Sequence, residues 1–262
     1  MSKKWPKENY YTDEVTDDFM QMENLKTIHI PDNYRYVSKN PFFKALAWFL
    51  RYFIAWPLLN IGCRIFQGVK VKNRQVLKKV KHQGFFIYAN HVVPTDCTYN
   101  NAILTIRRVH TIVHPNAVSI KGIKTIVKML GALPLGTSNK SNLALNAAVK
   151  HYIEKKHQAI LIYPEAHIWP YCTWIRRFSP LTTIYPVRLN APVIVATTTF
   201  RKAKFPFKKP RITVYLDGPL FPSQEHFTKN EMNDLADRIH SIMSERAKNS
   251  IDTGYHYYKK ES

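Results

Sequence analysis

The sequence predicts an α/β domain: a mixed, mainly parallel sheet flanked by helices, preceded by an amphipathic helical membrane element. Three observations predict it. Wholly apolar runs of strand length, at residues 85–89 and 159–163, read as strands buried on both faces. Segments with apolar residues at helical spacing lie between and after them, in the order β-α-α-β-β-β-α. And 262 residues, 45% hydrophobic and 13% aromatic, suffice to bury one core without disulfides.

Residues 1–38 read as a polar arm, with five Lys/Arg against seven Asp/Glu. Trp5, Tyr10, Tyr11, Phe19 and Tyr34 suit it to packing on a partner surface. No apolar segment follows a basic start, so no secretory leader is expected. Residues 39–67 follow as an interfacial helical pair. Lys44 and Arg51 interrupt the apolar run and, one heptad apart, share a helix face. Pro57 is expected to break the run, after which Asn60, Arg64 and Gln67 make a second polar stripe. Trp48, Tyr52, Phe53 and Trp56 are of the types enriched at membrane–water boundaries.

The domain proper is expected over residues 68–250, with a tail at 251–262. After the strand at 85–89, Ser119 is placed to cap a helix through Leu130, which Gly131 ends. Lys121, Lys124 and Lys128 share its polar side. A helix over 141–156 precedes the strand at 159–163, and strands are expected at 193–200 and 211–216. Thr228 and Glu231 form a capping-box signature for a final helix apolar at Met232, Leu235, Ile239 and Ile242.

The chain carries 39 Lys/Arg against 18 Asp/Glu, net +21. Beyond residue 38 the balance is 34 against 11, or +23. Such a field attracts nucleic acid, anionic lipid or an acidic carrier protein. No helix-turn-helix, zinc, RNP-type or KH-type signature appears, so nucleic acid is not the expected partner. Cys63, Cys97 and Cys172 have no metal-ligand spacing, and they fit a reducing compartment.

The chemistry concentrates where the first strand ends, at Asn90-His91-Val92-Val93-Pro94-Thr95-Asp96. Histidine is the side chain suited to act as a base near neutral pH, and a neighbouring carboxylate fixes its tautomer. Pro94 suits a first helical turn, where the dipole favours an ionised Asp96. Strand C-terminal ends are where open α/β sheets bind ligands. Alone, His-x4-Asp is a weak pattern.

Together with later segments it resembles the 1-acylglycerol-3-phosphate O-acyltransferase (PlsC-type, lysophospholipid acyltransferase) family. Gly131-Ala132-Leu133-Pro134-Leu135 resembles the second family motif. Tyr163-Pro164-Glu165-Ala166-His167 is similar to the third, Phe-Pro-Glu-Gly-Thr-Arg. Asn190-Ala191-Pro192-Val193-Ile194-Val195 resembles the fourth. The resemblance implies a membrane-associated O-acyltransferase in which His91 deprotonates an acceptor hydroxyl, Asp96 orients His91, and Glu165 lies at the acceptor site. It implies acyl-CoA or acyl carrier protein as donor, no cofactor or metal, and an anionic membrane surface and a lipid acceptor as partners. The expected location is the cytoplasmic face of the cell membrane, peripheral or monotopic.

Two departures stand out. The arginine ending the second motif is Thr137 here, and Gly-Thr-Arg of the third is Ala166, His167 and Ile168. Arginine grips phosphate bidentately, so its loss at both places is not conservative. Arg176, Arg177, Arg188 or the lysine stripe are the candidate replacements. Substrate contacts are expected at Glu165, His167, Thr137 and Arg177. The alternative function is a non-catalytic lipid-binding protein on the same fold.

Overall fold

The two apolar runs form the middle of the molecule. A computed structural model describes residues 7–20, 28–103, 107–119, 122–203, 209–223 and 227–261, without the side chains of residues 100–103. In chain order the elements are β1 (Lys7–Tyr11), α1 (Pro41–Phe49), a π-helical segment (Leu50–Ala55), α2 (Trp56–Phe66), β2 (Lys70–Lys72) and β3 (Phe85–Ala89). Then come α3 (Asp96–Ile103), β4 (Val109–Val113), α4 (Lys124–Leu130), β5 (Ala132–Pro134), α5 (Asn139–Lys150) and β6 (Ala159–Ile162). The last are α6 (Ile184–Arg188), β7 (Val193–Arg201), β8 (Arg211–Leu220), α7 (Lys229–Ala247) and β9 (His256–Lys260).

A seven-stranded sheet runs β2-β8-β7-β3-β6-β4-β5. Every pairing in it is parallel except β7 with β8. β3 lies between β7 and β6, which is why all five of its residues are apolar and buried. Phe85, Ile87 and Ala89 face one core with α2 and Trp169, while Phe86 and Tyr88 face the other with α5 and α7. The mainly parallel layered sheet expected from the sequence is what forms. β2, β4 and the pair β1–β9 were not expected; three to five residues carry too little periodicity to announce a strand.

Several local expectations change. Pro57 does not break the apolar run: Pro41–Phe66 is one continuous helix of 26 residues. Proline at position 57 has no N–H to give, and the π turn just before it widens the helix so that the chain continues. Arg51 does not share an outer face with Lys44. It is buried, and its Nη2 donates to the Arg107 carbonyl at 3.0 Å. Instead Trp48, Phe49, Phe53, Leu58, Ile61 and Ile65 are exposed. The helix expected from Ser119 starts at Lys124, because Gly122 (φ +85°) takes a left-handed turn; Gly131 ends it as expected. Ile120 and Lys121 lie outside the described residues. Thr228 does cap α7, accepting from the Glu231 N–H.

The arm packs on its own chain. β1 pairs in parallel with β9, so arm and tail make a second, two-stranded sheet. Tyr11 and Phe19 both pack on Trp169 with ring centroids 4.9 Å apart, and Tyr34 packs on Tyr36. Trp5 lies outside the described residues.

On the second core's edge, His110 is buried, stacked on Tyr152 and bonded to Gln158. Burial first, then the Arg108 charge, lower its pKa from 6.5 to about 3. Folded protein therefore binds fewer protons here than unfolded chain, and stability falls as pH drops below about 6.5 toward 3. His110→Phe should remove that slope, roughly 2 kcal/mol between about pH 6.5 and 5. Thermal melts of both proteins across that range would check it; equal slopes would contradict it.

Candidate active site

Register brings the site together. Tyr88 of β3 pairs with Ile162 of β6, and His91 and Glu165 each lie three residues further along parallel neighbours. Both side chains thus emerge at the same C-terminal edge of the sheet. Asn90 pins the strand end: its Oδ1 accepts the Thr198 N–H at 2.8 Å and its Nδ2 donates to the Thr198 carbonyl at 3.1 Å. The amide extends the β3–β7 ladder by one step, and the chain then turns at His91.

His91 Nδ1 lies 2.8 Å from Asp96 Oδ2. A carboxylate accepts, so Nδ1 carries the proton and Nε2 is left as the basic nitrogen. Asp96 opens α3 and is fully buried, whereas the His91 side chain remains 14% exposed. Tyr163 stacks on the imidazole, centroids 4.1 Å apart and planes 19° off parallel. The ring is thus oriented by an acid on its edge and a phenol on its face. One ring nitrogen is fixed and the side chain is partly exposed, a geometry from which an imidazole can take up a proton.

Glu165 is buried and does not face solvent. Its Oε2 accepts the His91 backbone N–H at 2.8 Å and its Oε1 the Arg176 N–H at 2.9 Å. The Arg176 guanidinium pairs with it at 3.5 Å. Ala166 takes φ +59°, a conformation that favours glycine, at the place where the family motif has glycine. His167 faces Asp18 of the arm at 3.8 Å.

The other predicted contacts scatter. Thr137 follows β5, three strands from β3, or about 14 Å across the sheet at the usual strand spacing. Its hydroxyl accepts the Ile30 N–H at 2.8 Å and meets His29 Nδ1 at 3.0 Å. Arg177 is exposed, with its backbone N–H 3.4 Å from Glu14 Oε2. Lys128 lies over the Tyr34 ring and Arg188 over Phe227. Sequence reasoning missed Tyr163 as a stacking partner and Trp169, whose N–H donates to the His91 carbonyl at 3.1 Å. The Trp169 position had a signal, an aromatic close behind the third motif.

Helix α2 abuts this edge. Gln67 donates to Thr95 Oγ1 at 2.7 Å, and Cys63 Sγ lies 3.9 Å from Thr98 Oγ1. The apolar helix and the His-x4-Asp segment are therefore one packed unit. Among the described residues no group of three or more His, Cys, Asp or Glu could hold a metal ion. A surface cleft of about 460 Å³ lies between β1, β9 and Trp174, and His91 is not part of its lining.

Comparison with known proteins gives the same picture. A family model described as Acyltransferase matches residues 68–208, more than half of the chain. No curated protein matches significantly. Among solved structures, the fold is similar to the crystal structure of the 1-acyl-sn-glycerophosphate (LPA) acyltransferase PlsC from Thermotoga maritima. The two share 16% identity with a TM-score of 0.52, over 80% of this chain and 90% of that one. With its strand-end motifs in family order on a sheet of this kind, the chain belongs to the acyltransferase family and is an acyltransferase.

Proposed function

We propose that the enzyme moves a fatty acyl group from a thioester, acyl-CoA or acyl carrier protein, to the hydroxyl of a lysophospholipid-like acceptor, with His91 as general base. The observation that carries this is the 2.8 Å contact between His91 Nδ1 and buried Asp96, beside an imidazole still partly open to solvent. An acceptor hydroxyl gives its proton to Nε2 while its oxygen attacks the thioester carbonyl. The tetrahedral intermediate collapses with cleavage of the C–S bond, and the imidazolium returns the proton to the leaving thiolate. Asp96 stabilises the imidazolium in between. No acyl-enzyme is formed and no cofactor is required beyond the donor.

His167 and Arg177, on the segment after Glu165, are the side chains assigned to the acceptor head group. Glu165 acts on the acceptor side through the His91 backbone it holds. Thr137 has its hydroxyl committed to the arm, so no acceptor contact is assigned to it. The exposed apolar face of Pro41–Phe66 and the basic body support a monotopic seat on an anionic membrane, at its cytoplasmic face. The helix is about 39 Å long, enough to cross a bilayer. Cys63 in its last turn and Gln67 just beyond it hold the His-x4-Asp segment, which supports placing the site at the lipid boundary.

The test is an assay of the purified protein with acyl-CoA or acyl carrier protein and a panel of lysophospholipids in vesicles, reading release of free thiol and formation of diacyl lipid. Thiol release that depends on a lysolipid is expected. Thiol release equal with and without acceptor would defeat the transferase step as written.

A further inference from the structure

His91 is held by its backbone on both sides, and both holds lead to the N-terminal arm. Its N–H donates to Glu165, and its carbonyl accepts the Trp169 N–H. Behind Glu165 stands Arg176, fully buried, with its guanidinium 4.8 Å over the Trp169 ring. Arg176 Nη2 reaches Glu165 Oε2 at 3.5 Å and also donates to the His167 carbonyl. Its Nη1 donates to the Glu14 carbonyl at 3.2 Å. Behind Trp169 stands Asp17, whose carbonyl accepts the indole N–H at 2.8 Å. Tyr11, Phe19 and Tyr258 close around the same indole.

We propose that Arg176 is a positioning residue for acyl transfer: it keeps Glu165 an acceptor for the His91 N–H, and the arm, through the Glu14 and Asp17 carbonyls, holds Arg176 and Trp169 in register. The proposal rests on His91 being the base. A buried carboxylate without a counter-charge takes up a proton. Once protonated, one of the two oxygens becomes a donor, and the contact on that oxygen, to the His91 or the Arg176 N–H, is weakened. The His91 turn then loses its fixed height above the sheet, and small displacements of a base are costly to rate. The other groups facing Glu165 do not supply that charge. Cys172 is a thiol whose proton is held by burial first and by Glu165 itself second. The His91 imidazole is turned to Asp96, His167 to Asp18, and the Tyr258 hydroxyl to the Pro170 carbonyl.

The experiment measures kcat and KM from about pH 5 to 9 for the full-length wild type, R176Q, R176K and F19A, with melting temperatures alongside. R176Q should lose roughly 10²-fold in kcat with little change in donor KM, a loss of base positioning. Its acid limb should move up, because a buried carboxylate left without its counter-charge takes up a proton more readily. R176K, which keeps the charge but not the fork, should restore the acid limb with about a tenfold lower kcat. F19A, which loosens the arm without touching charge, should lower kcat and leave the limb in place. An R176Q enzyme with the wild-type limb, or an R176K enzyme with wild-type kcat, would overturn the proposal. If R176Q does not fold, the R176K result decides. A wild type that transfers acyl groups to no lysolipid would defeat the acyl-transfer reading instead.

Discussion

His91→Ala should lower kcat/KM for acyl transfer by about 10³-fold or more, with folding and vesicle binding unchanged. A positioned base contributes roughly 10²–10⁴-fold, and the imidazole proposed for that role is held by both Asp96 and Tyr163. The side chain lies at the edge of the core and is partly exposed, so its removal opens no deep cavity. Asp96→Asn should cost less, roughly 10²-fold, because the imidazole remains but its tautomer is no longer dictated. It should also cost stability, since Asp96 is buried and its Oδ2 also accepts the Val93 N–H. Steady-state assays on both variants, with melting temperatures, check this ordering. Wild-type turnover in purified His91→Ala would remove His91 from the reaction.

The second large effect concerns the membrane. Replacing Phe53, Leu58 and Ile65 together by Glu should reduce the partition constant for anionic vesicles by about 10²-fold or more. These side chains are 58%, 66% and 70% exposed, so their replacement uncovers little of the core. Each buried apolar side chain is worth about 1.5–3 kcal/mol to an interface that excludes water, and the new carboxylates add repulsion from anionic lipid. Wild-type binding should weaken with salt, as the basic body's attraction is screened over a Debye length. Vesicle co-sedimentation at two salt concentrations measures both effects. Equal binding of variant and wild type would mean that this face meets something other than lipid.

The central strand and the His-x4-Asp segment after it were legible because each is local, whereas the Glu165 turn stood out through its resemblance to the third family motif. An apolar run of five residues and a base and acid five apart are both short-range patterns. The juxtaposition of His91 and Glu165 needed only that β3 and β6 be neighbours in parallel register, as found. The Pro57 break failed because one missing N–H is absorbed by the π turn before it. Arg51 failed for a different reason. Heptad spacing places it on a face, but only the neighbouring Arg107 carbonyl decides that this face is turned inward.

Composition and order alone determined that this is a basic, layered α/β protein with an apolar helical element ahead of a strand-end histidine. That much follows from periodicity and charge, which are additive along the chain. Only the tertiary structure decided which distant groups meet. It gave Glu165 to Arg176 and to the His91 amide, Thr137 to the arm, and the arm to Trp169. Those pairings join residues 70 to 160 positions apart or lie beneath the surface, where the cost of an unpaired polar group, not its place in the sequence, selects its partner.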